Sequence, residues 1–392
     1  MTAPTMLCRV CDHDVPPGRY CGLCGAHLTA TRGDGPSWLR IRDYAAAPGE
    51  NVLQPSIVSS MFPYLPNRSC GTFRVVAWLV LAAMVVLCLF RMEVAMVATA
   101  TFAPPLLLLI YLKETGVITD LLWRVWVPTL LVGLGIGVGW ALWTAATVAE
   151  SYSLGLGIEV PTAKLVRDAL AIPFGGLFAL QLPAVLIRLT RPPERESLYG
   201  FAVGALGGTM FAVGATIVRL VTQIGAGQQD SDQPVADMLL EAVIRGITQP
   251  LMAASVGGLI GAALWYRGPE GQRRRGLWTA IVLGSVGAPI IYACVGLVDV
   301  LRVTPYLQVI VHVAIAVTAL LALRIGLQLA VLHERHEVTD AELPILCPDC
   351  DHVVPDMPFC PACGVAAQAA SKESRVLRRL DRPQPSDESV ER

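Results

Sequence analysis

Three observations predict an all-α polytopic membrane protein of about eight transmembrane helices, with a small β-rich module at each terminus. Of the 392 residues, 54% are hydrophobic and only 16% charged, with a mean hydropathy of +0.55, too little charge to cover a globular surface of this size. Uncharged runs recur that are long enough, at about 1.5 Å per residue, to cross a hydrocarbon core of roughly 30 Å. Eight of the eleven cysteines fall into two compact groups near the two ends. The formal net charge of -1 supplies no global field pointing to nucleic acid or anionic lipid. The start, MTAPTMLCRVCDHD, has no basic segment leading into an apolar run, so no cleavable signal peptide is expected. The first span is then its own targeting signal.

The first element is residues 1–30. Cys8, Cys11, Cys21 and Cys24 read CxxC, nine residues, CxxC, and Cys347, Cys350, Cys360 and Cys363 repeat that pattern. Superposed at a constant offset of 339, CRVCDHDVPPGRYCGLCG and CPDCDHVVPDMPFCPACG agree at nine of eighteen positions, among them Asp12/Asp351, His13/His352 and Pro16/Pro355. The module is an internal repeat. Each CxxC turn offers two thiolates, and a short hairpin brings two such knuckles together as a tetrahedral four-sulfur site, closed to substrate. Gly25 and Gly364, each following a last cysteine, provide the permissive backbone a knuckle needs. A module this small has too little core to fold alone, so metal binding would supply on the order of 10–16 kcal/mol of its folding free energy. The expected cofactor is zinc, one structural ion per module. Disulfides would need an oxidising compartment, and a redox pair would not need four cysteines twice over. Iron in the same geometry stays open. His13 and His352 are expected outside the ligand set, and Cys70, Cys88 and Cys294 as small residues at or within spans.

Residues 31–72 form a linker. Its SWLRIRDYAAAPGE and PSIVSSMFPYLPNR stretches mix aromatic and Arg residues as a segment lying on the headgroup surface does.

Residues 73–332 hold the spans, expected near 73–90, 94–112, 125–149, 164–188, 198–220, 246–266, 277–298 and 304–332. Arg91 and Glu93 interrupt the first apolar stretch and predict a tight turn between two spans. An even count puts both termini on one side, and the basic residues test that count. Loops on one side hold Lys113 and Arg124, then Arg188, Arg191 and Arg195, then Arg267, Arg273, Arg274 and Arg275, then Arg335. Opposite loops hold Arg91, a stretch without base before Val160, the acidic Asp230, Asp232, Asp237 and Glu241 beside Arg245, and Arg302. The alternation predicts a multi-pass protein of the plasma (inner) membrane with both termini, and hence both cysteine modules, in the reducing cytoplasm.

Glycines crowd the spans at GLGIGVG (133–139), GALGG (204–208) and GGLIG (257–261). A phosphate-cradling loop needs a strand before it and a solvated helix start after it, so these mid-span runs are expected to pack helices closely. Polar groups inside spans are site candidates because each is costly in lipid. They are Lys164, Arg167 and Asp168, then Gln181, Arg219, Gln249 and His312; of these Lys164, Asp168, Gln249 and His312 make the candidate intramembrane pocket. HERHE at 333–337 spaces its histidines by three and is not a metalloprotease motif.

The last elements are the second module, 343–368, and a tail, 369–392, which mixes charge and Pro without an apolar period and predicts disorder.

Over about residues 75–330 the chain resembles the PrsW-type intramembrane proteases, through APPLLLLIYLKETGVITD from 103, AKLVRDAL from 163, YGFAVGALGGTMFAVGATI from 199, RGITQPLMAASVGGLIGAAL from 245 and VIVHVAIAV from 309. The resemblance implies a helical scaffold whose catalytic or metal-binding set comprises a Glu-Glu pair before a Lys, a Glu-Asn pair after Phe-Ala, and two separate histidines. Here those places fall on Val160 and Pro161 before Lys164, on Gly214 and Ala215 after Phe211, and on Gln249 or Pro250; only His312 is retained. One histidine without a carboxylate partner runs neither water activation nor metal binding. The expectation is a non-catalytic, PrsW-like scaffold or regulatory protein whose ribbons bind a cytoplasmic protein while the spans contact lipid. The modules lack the basic, aromatic-studded face that nucleic acid requires. Alternatives are an active protease using Asp168 with His312, and a small-molecule transporter using helices broken at Pro173, Pro183, Pro250 or Pro289.

Overall fold

The computed structural model describes residues 5–9, 11–29, 70–114, 117–121, 123–153, 166–190, 196–225, 239–267, 304–334, 343–347, 350–364 and 372–382, with isolated positions between 287 and 297. It is mostly helical. Near the start, β1 (Met6–Leu7) pairs antiparallel with β2 (Asp14–Val15). Then come α1 (Cys70–Leu89), α2 (Glu93–Glu114), the short α3 (Val117–Asp120), α4 (Trp123–Ser153), α5 (Ile172–Leu189), α6 (Ser197–Gly225), α7 (Gln249–Trp265) and α8 (Pro305–His333). The chain closes with the antiparallel pair β3 (Pro344–Leu346) and β4 (Val353–Pro355), followed by α9 (Lys372–Leu380).

Seven helices among the described residues are long and apolar enough to cross a membrane: Thr72–Leu89, Val94–Lys113, Trp123–Ala149, Ile172–Leu189, Ser197–Thr222, Leu239–Trp265 and Tyr306–Leu327. They fall where the apolar runs predict them. The expected span at 277–298 and the linker before Cys70 lie outside the described residues.

Glycine placement decides which helices touch. α6 is the central helix, with a stripe of Gly200, Gly204 and Gly208 facing Gly261, Gly257 and Ala253 of an antiparallel α7. A methyl group at Gly204 would collide with the Gly257 carbonyl, and one at Gly261 with the Gly200 carbonyl, so the two backbones are in direct contact. On another side of α6, Gly133 and Gly137 of α4 meet Gly207 and Phe211 in the parallel sense. In lipid no hydrophobic force separates helix–helix from helix–lipid contact, and such close packing becomes the main attraction between spans.

α1 and α2 are joined at Arg91, which has a left-handed φ of 53°. Arg91 N–H donates to the Cys88 carbonyl and Met92 N–H to the Leu87 carbonyl, satisfying the last carbonyls of α1. This is the tight turn that the Arg91–Glu93 interruption predicts.

Two prolines widen their helices without breaking them. Pro173 follows a π-helical turn over Arg167–Ala171, where Ile172 N–H donates to the Arg167 carbonyl; Pro250 follows another over Ala242–Thr248, where Gln249 N–H donates to the Ile244 carbonyl. A proline ring strikes the carbonyl four residues back and lacks an N–H to bond it. One extra residue per turn relieves both problems, and the helix continues.

α7 and α8 run the same way, with Gly326 against Leu259 and the Arg267 N–H at the end of one bonded to Glu334 at the end of the other.

Candidate metal centres and the ribbon end of the bundle

Each module is built the same way, residue for residue. Cys8 N–H donates to the His13 carbonyl at 2.9 Å and Cys347 N–H to the His352 carbonyl at 2.9 Å. Asp12 N–H meets the Cys8 carbonyl and Asp351 N–H the Cys347 carbonyl, with left-handed φ of 56° and 54° at the two aspartates, a conformation Asp tolerates. Gly25 (φ 73°) and Gly364 (φ 78°) close the second knuckle through N–H bonds to the Cys21 and Cys360 carbonyls. His13 and His352 turn Nδ1 onto the Cys11 and Cys350 carbonyls, outside the ligand set.

The four sulfurs of each module lie within 4.8 Å of one another. Separations are 3.7 Å for Cys8–Cys24, 3.8 Å for Cys11–Cys21, 3.6 Å for Cys347–Cys363 and 3.9 Å for Cys350–Cys360. A tetrahedron with metal–sulfur bonds of about 2.3 Å has edges of about 3.8 Å, so both sets have the dimensions of a metal site. None of the eight is in a disulfide. The Cys21 thiol is held down to about 5 by the Cys24 thiol and, against burial, by the Cys24 and Leu23 N–H groups. Its repeat mate Cys360 is held down to about 3 by the Cys347 and Cys363 thiols and the knuckle N–H groups. Burial pushes Cys11 up to about 12, and the Cys21 thiol and burial push Cys24 up. A bound metal would take the place of the protons that thiols such as Cys11 and Cys24 hold.

The two modules face each other. Tyr20 N–H donates to the Pro361 carbonyl at 3.0 Å, and Phe359 N–H donates to the Gly22 carbonyl at 2.9 Å. Arg19 N–H also reaches the Pro361 carbonyl, at 2.9 Å.

The tail departs from expectation. Predicted disordered, it carries α9 over Lys372–Leu380, and that helix joins the ribbon pair to the bundle. Arg375 reaches Glu196 at 2.6 Å, ahead of α6, and Lys372 N–H donates to the Tyr199 hydroxyl. Arg379 and Arg382 reach Asp356 of the second ribbon at 3.0 and 3.3 Å. Asp356 and Arg375 are buried, so each charge is largely withdrawn from water beside its own partners, Arg379 and Arg382 for Asp356 and Glu196 for Arg375. The helix is held by a basic face at i, i+4 and i+7, not by an apolar stripe, which is why an apolar period does not reveal it. The spacing of Arg375, Arg379 and Arg382 is the available signal.

At the same end, both carboxylate oxygens of Glu334 accept the Ser197 N–H, and the Arg267 N–H bonds the same carboxylate. Burial pushes Glu334 up to about 7, with the Ser197 N–H opposing and the Glu196 charge adding. Arg188 stacks 5.6 Å over Trp265 and donates to the Leu264 carbonyl, capping α7.

The candidate pocket residues are spread over several helices. Asp168 lies on the π turn before α5, its carboxylate 2.6 Å from the Arg167 guanidinium. Gln249 opens α7, and His312 lies on α8, which packs against α7; His312 is buried with Nδ1 on the Gln308 carbonyl. Lys164 lies outside the described residues. Arg324, a further charged residue within a span, is buried at 1% exposure on α8 between the core residues Leu323 and Leu327.

No protein-family model matches the chain, and no curated protein or solved structure matches it significantly.

Proposed function

We propose that this is a non-catalytic membrane scaffold or regulatory protein, in which two zinc ribbons form a rigid cytoplasmic cap for a protein partner. One observation carries the reading: the cap is bolted to the spans. Through α9, Arg375 and Lys372 hold the first turn of α6 while Arg379 and Arg382 hold the second ribbon. A force or ligand on the cap thus bears directly on the central helix of the bundle. The resemblance to PrsW-type proteases supports a scaffold of that kind without its chemistry, since of the implied catalytic set only His312 is present, and Asp168 is neutralised by Arg167. Continuous helices through Pro173 and Pro250 give a transporter no unwound segment there.

The test is reconstitution of the purified chain with a membrane-embedded test peptide. No cleavage is expected. Cleavage that His312→Ala abolishes would overturn the reading in favour of a protease. In-cell crosslinking from the cap should trap a protein partner from the wild type and from His312→Ala, and lose it when Cys8→Ser and Cys347→Ser are combined.

A further inference from the structure

The contact between the ribbons has the form of a two-fold interface made from unequal halves. At the repeat offset of 339, Tyr20 corresponds to Phe359 and Gly22 to Pro361. The bonds Tyr20 N–H to Pro361 and Phe359 N–H to Gly22 are therefore one bond made twice, as in an isologous dimer, where residue i meets j and j meets i.

The side chains beside those bonds break the symmetry. Gly18 corresponds to Met357, and in the pair Gly18 faces Pro361 while Gly22 faces Met357. Each contact sets a side chain of the second ribbon against a glycine of the first. A Cβ at Gly18 would stand 2.8 Å from the Pro361 carbonyl oxygen and 2.9 Å from its Cβ. Two copies of the second ribbon would impose that collision twice, because each would bring Met357 against Pro361. Two copies of the first would place Gly18 opposite Gly22 and leave both contacts without a side chain. Only the mixed pair fills the space without overlap. Specificity of this kind comes from clashes built against the wrong partner as much as from contacts with the right one.

We propose that the duplicated ribbons are a matched heterotypic pair: the knuckle face of each is a binding surface for the other, and the occupant is the opposite-end ribbon of the same chain. The same-chain assignment rests on α9, which fixes the second ribbon to Glu196 and Tyr199 at the end of the bundle where that ribbon meets the first. The pairing closes the chain terminus to terminus, and any further partner meets the outer surface of the pair.

The test uses the full chain in nanodiscs with a site-specific protease site placed between residues 31 and 69. After cleavage no peptide bond holds the first ribbon to the spans, and the wild type should retain it. Gly18→Met, which gives the first ribbon the residue of the second, should lower the association constant about tenfold or more. Gly18→Met combined with Pro361→Gly copies the Met357–Gly22 contact onto the other side and should restore retention. Metal content reports on folding: loss of the ribbon from Gly18→Met with both metals still bound is loss of pairing. Should the single variant lose metal, the double variant decides alone, because a site that regains metal without regaining retention overturns the proposal. Retention by Gly18→Met at the wild-type level also overturns it. Recovery of a tagged first ribbon on an untagged chain, in a mixture of the two, overturns the same-chain assignment.

Discussion

Both carboxylate oxygens of Glu334 lie 2.9 Å from the backbone nitrogen of Ser197, 137 positions away, so the end of one span caps the start of another. Ser197 would otherwise begin α6 with orphan N–H groups in a buried setting, since it is itself fully buried. The positive end of the α6 dipole favours the charged carboxylate, but burial outweighs it.

The raised Glu334 pKa has a sign that can be measured. A carboxyl shifted from the usual 4.5 up to about 7 contributes stability that is fully present below the unfolded value and is lost as pH rises through the folded one. Thermal unfolding midpoints should therefore fall between about pH 5 and pH 8. Glu334→Gln keeps an acceptor for the Ser197 N–H and cannot ionise. It should match the wild type near pH 5 and exceed it above pH 7 by about 1–3 kcal/mol. An unchanged pH profile in Glu334→Gln would place the titration elsewhere.

Removing Arg375 leaves Glu196 and the neighbouring chain without their partner. Arg375→Ala should loosen α9, raising the rate of limited proteolysis at 372–382 about tenfold, the effect of roughly 1.4 kcal/mol of local opening. Combined with Glu196→Gln the two losses should be less than additive, as expected of groups that pair directly. Fully additive effects would mean that the ion pair does not hold the helix.

Backbone contact between α6 and α7 makes Gly204 intolerant of bulk. Gly204→Leu should destabilise the bundle by about 3 kcal/mol or more, read as a large drop in the unfolding midpoint. Gly135→Leu is the control: it lies in the same kind of glycine run, but a Cβ there meets nothing within 4 Å. That variant should unfold with the wild type.

Metal analysis should give two ions per chain, one for each four-cysteine group. Cys8→Ser should lower the count to one and leave the other site loaded. Because thiols such as Cys11 must give up a tightly held proton to bind metal, affinity should fall steeply on acidification, followed by chelator competition at stepped pH. Equal metal uptake at pH 5 and pH 8 would argue against thiolate ligation.

Much of this architecture is readable before folding because it rests on local rules. The seven described spans follow from runs that water cannot solvate, and the Arg91 turn from two charges interrupting one such run. The four-sulfur sites follow from spacing alone, since a CxxC turn brings its sulfurs close whatever surrounds it. The rest depends on partners far apart in sequence. α9 looks like a disordered tail because its stabilising groups, Glu196 and Asp356, are supplied by other elements. Glu334 sits in a stretch whose only local feature is a histidine spacing that fails as a motif; its role appears once Ser197 is beside it. Arg324 was visible as a charge in an apolar run, yet only the packing of α8 shows that it is buried.

By itself, then, the sequence determines a multi-pass helical chain and two repeated cysteine modules with metal-site spacing, because hydrophobicity and knuckle geometry act over a few residues at a time. Only the tertiary structure decides that the two modules face each other through reciprocal bonds at Tyr20–Pro361 and Phe359–Gly22, and that Arg375, Arg379 and Arg382 clamp them to the bundle. Those contacts join groups hundreds of residues apart, and their energy exists only when shape and charge on both sides meet at once.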